Sequence, residues 1–142
     1  TSLYFSNNKN EFYSVDLIKG VIKWVNKINS TMTPILVNDL IFTISEDGYL
    51  ITIHKKQGNI LRITDIYKDY KSKNRKKIKP VGFSIGQNKL FLSNTDGKMI
   101  IVKLDSGKPM ESIKISGNII SKPFIHKGNL FVIKNGSVIK YD

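Results

Sequence analysis

The chain has 142 residues, enough to bury about two thirds of its unfolded surface in one domain, and its 23 Lys and Arg against 11 Asp and Glu give a formal net charge of +12. It has no cysteine, which excludes a disulfide framework and thiolate metal sites. No run approaches the ~20 apolar residues that a spanning helix needs.

The first elements are short and alternate with polar turns. Residues 3–6 read LYFS, residues 7–10 are a polar turn, and residues 10–16 read NEFYSVD, where Phe12, Ser14 and Asp16 oppose Tyr13 and Val15. Period two of this kind predicts β-strands. Gly20, four residues after Asp16, opens a third strand-like run, GVIKWV. The phrase then recurs with a proline-led run in front of it: Pro34 in TPILV, LIFTI from Leu40, GYLITIH over residues 48–54, and GNILRI from Gly58. A third copy follows, with Pro80 in KPVGFSI, LFLS from Leu90, GKMIIVK over residues 97–103, and GKPMESIKI from Gly107. A fourth has Pro123 in KPFIH, LFVI from Leu130 and GSVIKYD over residues 136–142.

The turns between these runs have a mechanism. Asp47-Gly48, Asp96-Gly97 and Asn135-Gly136 fall where a tight hairpin needs positive φ, which glycine supplies without steric cost. Asn7 to Asn10 fill the same role with asparagine. The second turn is expected to hold Gly20, Gly58 or Gly107 in a left-handed conformation, with Asp16 bonding nearby backbone amides. Asp39, Asp47, Asp96 and Asp105 recur at turn offsets, and His54 and Lys103 replace Asp16 in the next copies, so these acids are read as turn residues rather than metal ligands. No helix is predicted.

Repeats of about 40 residues, each of four antiparallel strands, are the pattern of a β-propeller. The expected fold is all-β, a partial β-propeller with two complete and two incomplete blades. Residues 1–30 are an incomplete blade, 31–67 a blade, 68–79 an insertion, 80–117 a blade and 118–142 an incomplete last blade. Earlier blades of a larger ring are expected to precede the chain, with the last blade receiving its outer strand from them. By itself the piece is expected to self-associate through exposed blade faces and edges.

The insertion is visible in the spacing: Gly48 and Gly97 are 49 residues apart, against 38 and 39 for the neighbouring pairs. Residues 68–79 read KDYKSKNRKKIK, seven basic residues and one acid. Lysines elsewhere fit a lysine-, isoleucine- and asparagine-rich composition and are read as solvated surface. This cluster is a candidate partner-binding loop, with Lys71, Lys73, Arg75, Lys76, Lys77 and Lys79 beside the acidic hairpin tip of Glu46 and Asp47. An acidic protein surface or anionic lipid headgroups are the partners such a loop attracts. Tyr67 and Tyr70 could stack on single-stranded nucleic acid, but no nucleic-acid partner is expected.

Other candidate sites are absent or bland. His54 and His126 have no partner at ligand spacing. Ser45 and Ser93, read as equivalent strand ends, have no nucleophile elbow or accompanying histidine. No phosphate-binding glycine loop is present. Phe5, Phe42, Phe91 and Phe131 recur in the second strand of each blade or one residue away from register and are expected in the core.

The segment TPILVNDLIFTISEDGYLITIHKKQGNILR and the shorter VDLIKGVIKW, residues 15–24, resemble repeats of the quinoprotein-type (PQQ-like) propeller family. The resemblance implies that Trp24 docks between neighbouring blades, with Gly20, Gly58 and Gly107 as the structural glycines of that arrangement. Arg62 and Glu111 stand at the tryptophan position in the other copies. Within the superfamily the chain is most similar to the cofactor-free, BamB-type branch, eight-bladed periplasmic lipoproteins of outer-membrane barrel assembly. That branch implies a non-catalytic protein-interaction scaffold with no cofactor, and a signal and lipid anchor in a preceding part. The alternative is a fragment of a PQQ-dependent dehydrogenase or a ligand-sensing propeller; the absence of cysteine and the scarcity of acids speak against the dehydrogenase.

Overall fold

A computed structural model describes all residues, 1–142, as fourteen strands in four antiparallel sheets and one short helix. The chain divides into two compact units, Thr1–Asp65 and Ile66–Asp142.

In the first unit, β1 (Ser2–Ser6), β2 (Glu11–Asp16) and β3 (Val21–Lys27) form a first sheet. The second sheet holds β4 (Ile35–Val37), β5 (Leu40–Ile44), β6 (Tyr49–His54) and β7 (Ile60–Asp65) in chain order. The second unit begins with the insertion, which contains α1 (Ser72–Arg75). A third sheet follows, of β8 (Pro80–Gly86), β9 (Lys89–Asn94), β10 (Lys98–Lys103) and β11 (Pro109–Lys114). The fourth is β12 (Phe124–His126), β13 (Asn129–Lys134) and β14 (Ser137–Tyr141). Each is a simple meander, and the fold is that of part of a β-propeller, as the repeats predict.

The helix is a departure from expectation. Residues 72–77, SKNRKK, hold no β-branched or apolar residue to pair in a sheet, and the backbone satisfies itself locally, Arg75 N–H donating to the Lys71 carbonyl at 2.9 Å and Lys76 N–H to that of Ser72 at 3.3 Å.

The hairpins use left-handed residues at the expected places. Gly48 (φ +84°) and Gly97 (φ +76°) close turns by donating to the carbonyls of Ser45 at 3.0 Å and Asn94 at 3.1 Å. In the last hairpin Asn135 (φ +49°) and Gly136 (φ +76°) are both left-handed, the two-residue loop whose twist matches its strands. Asp16 Oδ1 accepts from the amides of Ile18 and Lys19 at 2.9 and 3.0 Å, holding its carboxyl below the usual carboxylate range.

A bulge recurs at one repeat position. Counting Asn10, Gly48 and Gly97 as position 1, register shifts after position 5, at Ser14, Thr52 and Ile101. The extra residue lies in the outer strand each time, so Lys23, Leu61 and Met110 have no partner across the ladder. Bulges of this kind bend and twist the strand that carries them.

Each sheet has two faces of opposite use. Positions 3 and 5 point forward along the chain and positions 4 and 6 to the rear. In the first unit the forward face of the first sheet, with Tyr4, Phe12 and Trp24, packs on Ile41, Ile51 and Ile53 of the second sheet's rear face. In the second unit the forward face of the third sheet, with Phe91 and Met99, packs on Leu130, Val132, Ile139 and Tyr141 of the fourth sheet's rear face. Register identifies Phe5 as the aromatic one residue out of step, and its exposure departs from the expected core position. The aromatics paired with position 5 are Tyr4, Phe42, Phe91 and Phe131, opposite Ser14, Thr52, Ile101 and Lys140. Phe5 is one residue along, on the rear face, where it is 38% exposed and stacks on Tyr13 at 5.4 Å. Phe42 is buried, whereas Phe91 and Phe131 are half-buried.

Candidate functional site

The basic insertion is fastened to the third sheet at both ends. Tyr67 is fully buried, and its hydroxyl donates to Oδ1 of Asn94, itself buried at the start of the β9–β10 hairpin. Asn94 Nδ2 donates in turn to the carbonyls of Leu92 at 3.3 Å and Lys98 at 3.2 Å. At the other end the Lys79 amide donates to Thr95 Oγ1 and the Lys79 carbonyl accepts from the Thr95 amide, both at 2.9 Å. Ile66 and Ile78, each next in sequence to one of these anchors, are buried. A loop held this way carries its charges on a fixed frame.

Between the loop and the hairpin lies an open cleft of about 690 Å³, with Tyr70, Lys71, Lys77, Asp96, Lys98 and Ser112 on its walls. Tyr70 packs edge-on against Tyr67 at 5.5 Å, and Lys98 Nζ lies 5.6 Å from the Tyr70 ring centre. Burial pushes both phenols up, with Asp96 adding to the shift of Tyr70, so both stay protonated near neutral pH. Tyr67 is therefore a buried anchor with no face to offer a base, which removes it from the stacking pair weighed above.

Of the predicted partner-binding residues, Lys71, Lys73, Lys76, Lys77 and Lys79 are exposed along this loop and Arg75 is half-buried. Glu46, half-buried, and Asp47, exposed, belong to the β5–β6 hairpin of the other unit. The acids that the structure sets on the cleft are Asp69 and Asp96, the latter with its Oδ1 accepting from the Lys98 amide at 3.1 Å and its carbonyl accepting from Lys114 Nζ at 2.9 Å.

Trp24 and Gly58 meet. The Trp24 ring stacks on Phe12 at 6.0 Å, its Nε1 donates to the Lys55 carbonyl at 3.1 Å, and its face covers Gly58 so closely that a Cβ there would stand 2.4 Å from Cδ2. Asn26 Nδ2 adds a 2.6 Å bond to the Gly58 carbonyl. Gly20 and Gly107 have the same left-handed backbone, φ +67° and +70°, but Gly20 is exposed with open space around it. At the tryptophan position of the other copies, Arg62 is half-buried and Glu111 exposed.

Asn94, Lys98 and Ser112 were not among the sequence candidates. A signal for the first exists: SEDG at Ser45 aligns with NTDG at Asn94, so Ser45 corresponds to Asn94 rather than to Ser93. The copy that carries the insertion is the one with an amide where its sister hairpin has a hydroxyl. Ser45 Oγ only accepts from the Tyr49 amide at 3.1 Å within its own turn. No three His, Asp or Glu side chains converge to hold a metal, and His54 and His126 lie in different units.

These features define a partial β-propeller of meander blades bearing one anchored basic loop. Residues 1–64 match the family model of the outer membrane protein assembly factor BamB. The structure is similar to BamB from Moraxella catarrhalis, at 17% identity and a TM-score of 0.74, over 98% of this chain and 39% of that one. It is also similar to the Cps50 (Swd1) β-propeller domain of Myceliophteria thermophila (12% identity, TM-score 0.70, 92% of this chain and 44% of that one). A third likeness is to the quinohemoprotein alcohol dehydrogenase ADHIIG of Pseudomonas putida HK5 (16% identity, TM-score 0.61, 82% and 20%). No curated protein sequence matches the chain. The chain spans less than half the length of each of these proteins, and at these identities the likenesses establish the fold.

Proposed function

We propose that the chain is part of a non-catalytic, BamB-like interaction scaffold that works in the periplasm at the outer membrane and assists β-barrel assembly. The match of residues 1–64 to the BamB family model carries this reading, and the anchored basic loop supplies a surface for it. In this reading an acidic protein surface docks on Lys71, Lys73, Lys76 and Lys77, with anionic headgroups as a secondary contact. The charges are exposed while the Tyr67–Asn94 anchor is buried, so attraction over a Debye length is combined with a loop that loses little freedom on binding. The dehydrogenase and ligand-sensing alternatives share the fold, which by itself does not select among functions.

The test is capture from a detergent-solubilised envelope by the full-length parent protein, wild type against a variant with Lys71, Lys73, Lys76 and Lys77 changed to Glu. Recovery of the barrel-assembly protein by the wild type and its loss in the variant is expected, with the melting temperature nearly unchanged. Equal recovery by both would remove the loop from the interface, and no envelope partner at all would overturn the scaffold reading.

A further inference from the structure

Two register positions of the third sheet break a pattern that the first and second sheets keep. Position 2 and its partner on the outer strand are Glu11 and Lys27 in the first sheet, joined by a 2.7 Å ion pair, and Tyr49 and Asp65 in the second. In the third they are Lys98 and Lys114. Like charges directly opposite one another destabilise a ladder, and neither lysine is paired with a carboxylate: Lys114 Nζ donates to the Asp96 carbonyl, and Lys98 Nζ lies over the Tyr70 ring. Position 4 pairs Tyr13 with Val25 and Ile51 with Ile63, but Ile100 with Ser112. A hydroxyl replaces a branched aliphatic side chain only in the sheet that follows the insertion.

Both departures fall on one cleft. Lys98 and Ser112 line it from the sheet, and Lys71 and Lys77 from the loop, so that every wall comes from residues 69–112. Lys71 and Lys77 form no ion pair either. Of the two acids on the cleft, Asp96 is tied to its own turn by the Lys98 amide. Three ammonium groups against two carboxylates leave one positive charge unmatched. That surplus suits a singly charged anion better than a phosphate dianion.

We propose that the cleft seats one carboxylate side chain of an acidic partner segment, with Lys71, Lys77 and Lys98 sharing its charge and Ser112 Oγ donating to it. The partner is the acidic protein surface proposed above, and the placement rests on that reading. Lys98 stands on a strand, over the ring of Tyr70, which packs in turn on the buried Tyr67. The site is therefore organised before a ligand arrives. Lys73 and Lys76 do not line the cleft and supply long-range attraction alone.

The test titrates the full-length protein into a fluorescein-labelled peptide of alternating glycine and glutamate, with the glutamine counterpart as control, and follows anisotropy. The wild type is expected to bind the glutamate peptide and not the control. Lys98→Gln and Ser112→Glu should each weaken binding about fivefold to tenfold, whereas Lys73→Gln and Lys76→Gln should change it less than about twofold. Lys98→Gln relieves a like-charge pair and Ser112 is exposed, so both variants should fold, which circular dichroism melting checks. Equal weakening by Lys98→Gln, Lys73→Gln and Lys76→Gln would overturn the cleft while leaving the loop as a docking surface. A wild type that does not bind the glutamate peptide overturns the placement, and the envelope capture above then judges the scaffold reading separately. Displacement of the peptide by inorganic phosphate at a lower concentration than by acetate, at equal ionic strength, would overturn the choice of a carboxylate.

Discussion

Gly58 and Trp24 should respond to mutation as one unit. A methyl group at Gly58 would stand 2.4 Å from Cδ2 and 2.5 Å from Cγ of the indole, on a backbone with φ +75°. Gly58→Ala therefore meets two costs. The left-handed backbone costs alanine roughly 1–2 kcal/mol. Moving the ring aside costs about 1–3 kcal/mol more, because it gives up the Nε1 bond to Lys55 and the stacking on Phe12. Trp24→Ala should cost about 3 kcal/mol, the low end for a large aromatic, since the ring is half-buried. In the Trp24→Ala background the clash is gone, and Gly58→Ala should cost only its backbone part. The cycle then shows non-additivity of about 1–3 kcal/mol, the double variant being more stable than the sum of the singles. Urea unfolding of the four proteins, followed by far-ultraviolet circular dichroism, measures it; Trp24 is the sole tryptophan, so fluorescence disappears with it. An equal cost of Gly58→Ala in both backgrounds would refute the contact, and a loss below about 1 kcal/mol for Trp24→Ala would show that the indole is not docked.

Tyr67→Phe leaves the buried Asn94 Oδ1 without its donor and should cost about 1–3 kcal/mol, with faster proteolysis within residues 68–79; unchanged protection there would mean the phenol does not fasten the loop. Glu11 bonds Lys27 at 2.7 Å, Asn7 and Tyr13, which hold its pKa at about 2 against an ordinary 4.5. Because the folded value is the lower one, its contribution is present above pH 4.5 and is lost as pH falls toward about 2. The gap in melting temperature between wild type and Glu11→Gln should therefore close over that interval, and a gap that is constant with pH would argue against it.

Much of the fold is legible because each turn needs a particular residue. Gly48 and Gly97 must be left-handed, so their recurrence marks the hairpins before any strand is located. Residues 10–16 alternate cleanly because β2 buries Phe12 and Ser14 while Tyr13 and Val15 stay half-buried. β6 alternates less, since Leu50, Ile51, Thr52 and Ile53 are all buried. The offset of Phe5 is hard to read from sequence because Tyr4 and Phe5 are both aromatic, and only the ladder register decides which one opposes Ser14. The helical turn is not legible in the sequence because four polar residues carry no periodicity. Tyr67 reads as a surface aromatic among lysines, and its burial depends on Asn94, 27 residues away.

The anchored loop separates two properties that sequence change would otherwise couple. Its attachment uses Tyr67, Ile78, the Lys79 backbone and Thr95, whereas its charge resides on Lys71, Lys73, Lys76 and Lys77, whose side chains point to solvent. Losing an anchor exposes a buried polar group or leaves it unpaired, which costs stability. Losing a lysine costs almost none, since solitary exposed charges contribute little to folding. Charge on this loop can therefore be altered residue by residue without disturbing the third sheet, so in the proposed reading a docking face here is free to be tuned to a partner while the repeat positions beneath it stay constrained by blade packing.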